Sequence, residues 1–135
     1  ESFDPARVWR YYQTASITDA TLARDHHTQI VAEDYSVYFD FLAQASAQRA
    51  DFAGATYAYQ RALLANPRDD VAMVHWANQL AAGGNFKNAI ELYERAINVA
   101  PSDWRHYHNL AIILEAAGKT ERAAAVRTQG ERYKN

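Results

Sequence analysis

The sequence predicts an all-α fold, a solenoid of helical hairpins built from three repeated units, with an N-terminal helical cap and a C-terminal capping helix. Three observations carry that prediction. Landmark residues recur every 34 positions: Pro67 and Pro101; Ala43, Ala77 and Ala111; Ala55, Ala89 and Ala123. Within each unit the apolar residues return three and four positions apart, the period of a helix with one buried stripe. Between the stripes stand Gly83-Gly84-Asn85, Gly118, and the two prolines. Glycine can take the left-handed backbone that ends a helix, and proline lacks the donor needed to continue one.

Residues 1–35 fall outside the repeat register. Asp4-Pro5 opens a helix, as an N-cap followed by proline in the first turn, and Val8, Trp9 and Tyr12 give it an apolar face. Ser16 to Asp19 offers a second start, for a helix through about Val31. These two helices are expected to cover the open end of the stack, which a solenoid needs for solubility; a degenerate leading repeat is the alternative. The array then divides as 36–69, 70–103 and 104–135. First helices are expected near 35–48, 70–82 and 103–117, and second helices near 52–65, 86–99 and 120–132. Asp69 or Asp70, and Ser102 or Asp103, are natural N-caps.

Set in three rows, the units read Phe39, Leu42-Ala43, Ala55, Tyr59, Ala62, Pro67; then Met73, Trp76-Ala77, Leu80, Ala89, Tyr93, Ala96, Pro101; then Tyr107, Leu110-Ala111, Leu114, Ala123. This pattern resembles the tetratricopeptide repeat (TPR), over about residues 36–133. The resemblance implies a right-handed solenoid whose concave side is lined by the first helix of each repeat. The small residues are needed where paired helices approach to roughly 8–10 Å between axes. Tyr59 and Tyr93 are expected to fill the larger space toward the following repeat. Three departures stand out. Ser46 replaces the large residue that closes the other first helices, so packing there should be looser. Arg127 and Gly130 stand where an aromatic and a second alanine would be, which suits a helix with nothing packed beyond it.

Composition narrows the function classes. The chain has 135 residues, 49% hydrophobic and 22% charged, as in ordinary globular proteins, and no cysteine for disulfides or thiolate chemistry. No apolar run approaches the roughly 18–20 residues of a membrane-spanning helix, so no direct membrane insertion is expected. Net charge is −2, with the excess of acids in residues 1–40 and of bases in 119–135. That balance does not supply the basic groove that nucleic-acid binding requires, and no nucleic-acid partner is expected. Histidines occur as His26-His27 and His106/His108, spacings that turn two ligands to different sides of a helix, so no metal and no cofactor are expected. Serines and threonines sit at caps and turns without a nucleophile elbow, and no enzyme is expected.

Function is therefore expected in binding. The resemblance places Val37, Asp40, Gln44, Ala47 and Gln48, then Val71, Val74, Asn78, Ala81 and Ala82, then Arg105, His108, Ile112, Glu115 and Ala116 along the concave groove. Asp40, Gln44, Val74, Asn78, Arg105, His108 and Ile112 are the residues expected to hold a peptide or helical segment of a partner protein. One subclass of the family clamps a C-terminal carboxylate with cationic and amide side chains. Its positions hold Asp40, Gln44, His75, Arg105 and Asn109 here, and Asp40 would repel a carboxylate. Eight of the 17 aromatics lie at Phe3, Trp9, Tyr11, Tyr12, Tyr35, Tyr38, Phe39 and Phe41. Most are expected in the core, the rest in an exposed patch. Homo-oligomer formation through Trp9 and Tyr12, or service as an appendage of a larger enzyme or assembly machine, are the alternatives.

Overall fold

The computed structural model describes the backbone from His26 and the side chains from Ala32 to Asn135. The helices expected over residues 1–25, with Trp9 and Tyr12, lie outside the described residues. The chain divides into two units, Glu1–Val31 and Ala32–Asn135, and the described side chains all belong to the second. The elements are α1 (His26–Gln48), α2 (Phe52–Ala65), α3 (Asp70–Ala82), α4 (Phe86–Val99), α5 (Trp104–Ala116) and α6 (Thr120–Glu131). They form three hairpins stacked in chain order, the solenoid of helical hairpins that the repeat spacing implies. One boundary differs from the sequence expectation. Separate helices ending near Val31 and starting near Tyr35 are instead one continuous α1, because no glycine or proline stands between them to stop the first.

The 34-residue period also governs the helix ends. Asp51 and Asn85 stand one period apart and cap α2 and α4, accepting from the backbone N–H of Gly54 at 2.9 Å and of Asn88 at 3.4 Å. Asp69 and Asp103 do the same for α3 and α5, accepting from Ala72 at 3.0 Å and Arg105 at 3.0 Å. The third member of the first series is Lys119, whose ammonium cannot accept, so α6 starts without a side-chain cap. The turn before each second helix needs one left-handed residue. Gly84 and Gly118 supply it at φ +81° and +78°, while the first hairpin uses Ala50 at φ +60°. An alanine there carries a steric cost of about 1–2 kcal/mol that glycine avoids. Ala50→Gly should therefore raise stability by up to about 1 kcal/mol, read as a higher urea midpoint at unchanged m-value. A lower midpoint would show that the turn is not strained.

Burial follows the small-residue positions. Ala43, Ala55, Ala62, Ala72, Ala77, Ala89, Ala96, Ala111 and Ala123 are all fully enclosed, which lets the helices close on one another. Tyr59 and Tyr93 are buried on the second helices, as the repeat pattern requires. Among the described residues the buried apolar side chains form two clusters. The larger runs from Ala62 and Leu63 through Met73, Tyr93 and Leu114 to Ala123. The smaller, in the first hairpin, holds only Ala43, Ala55, Ala58 and Tyr59. Half-buried Phe39 and Trp76 touch both, and Trp76 stacks on Tyr59 with ring centres 6.1 Å apart. Beside this joint the Trp76 indole N–H and the Gln79 side-chain oxygen are buried without a hydrogen-bond partner among the described residues. At the other end Gly130 packs directly on Tyr107, whose hydroxyl donates to the Pro101 carbonyl at 2.7 Å and whose ring stacks on Tyr133.

Candidate functional site

The repeat period aligns the expected groove residues into three columns across α1, α3 and α5. Val37, Val71 and Arg105 form one; Asp40, Val74 and His108 the second; Gln44, Asn78 and Ile112 the third. Successive first helices present the same register positions, so each column crosses all three repeats.

The side chains differ widely in what they offer. Asp40 is buried, and its carboxylate lies 2.9 Å from Nδ1 of His75 on α3 and accepts from Gln44 Nε2 at 3.2 Å. Its charge therefore ties α1 to α3. The hydrogen bond to Asp40 raises the His75 pKa above its ordinary value; burial opposes this, and the charges of Asp40 and Asp69 assist it. Val74 is half-buried and Asn78 exposed, with Asn78 Oδ1 accepting from the Tyr93 hydroxyl at 2.7 Å. Burial pushes the Tyr93 pKa up, and its side-chain bonds with Asn109 and Asn78 partly offset that. Arg105 is exposed but forks onto Asp103, Nε to Oδ1 at 2.9 Å and Nη2 to Oδ2 at 2.7 Å. That contact first, with the neighbouring backbone and charges, draws the Asp103 pKa down to about 2. His108 is exposed and meets Trp104 edge-on, and Ile112 keeps 48% of its surface in water.

Side chains outside the expected seven carry much of the apolar surface. Phe41 is 71% exposed, Val37 65% and Val71 52%. Of the aromatics near the first repeat, Tyr35 is buried, Phe39 half-buried, Tyr38 and Phe41 exposed. The sequence does hold a signal for Phe41. Phe39, Leu42 and Ala43 already occupy the inward positions of α1, so a residue between them must face elsewhere.

A second polar contact joins α3 to α5. His106, buried, places Nε2 2.7 Å from Oδ2 of Asp70 and 3.8 Å from Oδ2 of Asp103. One ligand atom from each of these three lies within 4.8 Å of the others, and among the described residues they form a group close enough to meet a metal ion. The Arg105 guanidinium already sits on Asp103 as a cation. Ser36 likewise donates to Asp69, the residue that caps α3. These contacts join residues 33, 35 and 36 positions apart, near one repeat length, and sequence reasoning about single helices missed them.

No helix among the described residues is long and apolar enough to cross a membrane. A family model described as tetratricopeptide repeat matches residues 92–125. No curated protein matches the chain. Among solved structures, one described as MamA protein is similar at a TM-score of 0.69 and 21% identity, covering 77% of this chain and 57% of its own. The chain thus spans little more than half of that structure. A second, described as MamA, is similar at a TM-score of 0.69 and 18% identity, covering 96% of this chain and 80% of its own. At these identities the likeness concerns the fold, one that generally serves as a protein-interaction scaffold. With six helices at a 34-residue period, small residues at their crossings and a repeat match from α4 to α6, the described unit has the fold of a tetratricopeptide-repeat solenoid and is similar to that family over residues 92–125.

Proposed function

We propose that this chain is a non-catalytic scaffold that holds a peptide or helical segment of another protein along the exposed face of α1, α3 and α5. The observation that supports it is a run of exposed apolar side chains on successive first helices: Val37 and Phe41, then Val71, then Ile112. The helices need none of these for their own packing, and exposed apolar surface of this kind marks interaction sites. Polar groups interleave with them. Asn78 retains its amide N–H donors while its oxygen is occupied, and His108 stands exposed beside Ile112 in the neighbouring column. Such a strip suits a segment held by a few apolar contacts and oriented by hydrogen bonds. Asp40 and Arg105 serve in this reading mainly to fix the helices, since their charges are matched internally. A carboxylate clamp is disfavoured on the same ground.

The test is Val74→Arg combined with Asn78→Ala. Partners captured by the wild-type chain should be lost, with helicity by circular dichroism unchanged. Asn78→Ala alone controls for the lost Tyr93 bond and should lower stability by about 1 kcal/mol. Undiminished capture by the double variant would refute the groove.

A further inference from the structure

The second helices carry another outward face, and its chemistry changes from one repeat to the next. Register fixes its positions: Ala53, Tyr57, Gln60 and Leu64 on α2; Lys87, Glu91, Glu94 and Asn98 on α4; Glu121, Ala125, Thr128 and Arg132 at α6. Spaced four, three and four apart, each set forms one stripe down its helix. All are exposed except half-buried Glu94. The α4 stripe is charged, so the fold places no demand for apolar residues there. Yet α2 carries no charge in its stripe. Tyr57 is 53% exposed and Leu64 59%, and Phe52 at the start of the helix is 59% exposed.

Basic residues flank this stripe along the chain. Arg49 precedes α2, Arg68 follows it, and Arg61 lies on it with its guanidinium 5.0 Å from the centre of the Tyr57 ring. Residues 49–68 contain a single acid, Asp51, whose carboxylate is spent on the Gly54 N–H at the helix start. From Ala53 to Leu64 the stripe extends about 16 Å, three turns of helix.

We propose that the outer face of α2 is a docking surface for an amphipathic helix of a partner protein, with an apolar stripe edged by carboxylates. The apolar stripe would cover Tyr57 and Leu64, and the carboxylates would meet Arg49 and Arg68, exposed beyond the two ends of the helix. A second copy of this chain fits less well, because pairing two α2 faces sets arginines against arginines. This surface is separate from the groove, and its test does not depend on the groove reading.

The test uses the full chain and two fluorescein-labelled 16-residue helical peptides with the same leucine stripe, one flanked by glutamates and the other by lysines. By fluorescence anisotropy the glutamate peptide should bind saturably, and the lysine peptide at least ten times more weakly. Tyr57→Glu with Leu64→Asn copies the residues that α4 carries at the same positions, so folding should be retained. This variant should weaken the glutamate peptide at least tenfold, while Val74→Arg/Asn78→Ala leaves it unchanged. Equal binding of the two peptides, no binding, or loss only in the groove variant would overturn the proposal. So would sedimentation showing self-association that the α2 variant abolishes, or capture by phosphatidylserine vesicles in place of the peptides.

Discussion

Replacing Tyr93 with alanine should remove about 3–5 kcal/mol of stability, a large fraction of what a unit of this size has in total. The ring is fully buried in the larger cluster, between the alanines that let the helices close and the apolar residues of the next hairpin. Removing it leaves a cavity that stiff neighbouring helices can only partly fill. Tyr93→Phe separates the contributions, since it keeps the ring and deletes only the hydroxyl with its bonds to Asn78 and Asn109, at a cost of about 1–2 kcal/mol. Asn78 is exposed, so water can take the vacated position, which keeps that cost low. Urea unfolding followed by circular dichroism measures both. A loss below 1 kcal/mol for the alanine variant would mean that the ring does not hold the second and third hairpins together.

Gly130→Ala should be destabilising, against the usual rule for a glycine inside a helix. Helix propensity alone favours alanine by about 0.8–1 kcal/mol. Here the added methyl carbon would lie 2.5 Å from Cβ and 3.2 Å from Cγ of Tyr107. Tyr107 cannot easily retreat, because its hydroxyl is bonded to Pro101 and Tyr133 stacks on its ring. Over-packing of this kind costs about 1–3 kcal/mol, so the clash outweighs the propensity. Thermal unfolding should show a midpoint several degrees lower. A raised midpoint would mean that α6 is held more loosely than its burial implies.

The architecture was legible in the sequence because it is written three times. Any single Ala or Pro is ambiguous, whereas Ala55, Ala89 and Ala123 in one register leave little freedom. Helix ends were legible where the signal is chemical, as at Asp69, Asp103, Gly84 and Gly118. The continuous α1 was not, since the expected break rested on a change of register and no residue there enforces one. The expected groove residues follow from register alone, and register does not reveal which side chains are available. Whether Asp40 presents its charge or spends it on His75 depends on a residue 35 positions away, which helix periodicity does not reveal. The α2 face was hidden for a related reason: the pattern within one helix does not mark it, and the anomaly appears only when second helices are set row against row.

The division of the apolar interior has a mechanical consequence. Three alanines and one tyrosine form the small cluster between α1 and α2, whereas Ala62 and Leu63 at the end of α2 join the continuous oily block of the second and third hairpins. A load along the stack passes between the two clusters through Phe39 and Trp76, which pack on both, and through the Asp40–His75 and Ser36–Asp69 contacts across the same junction.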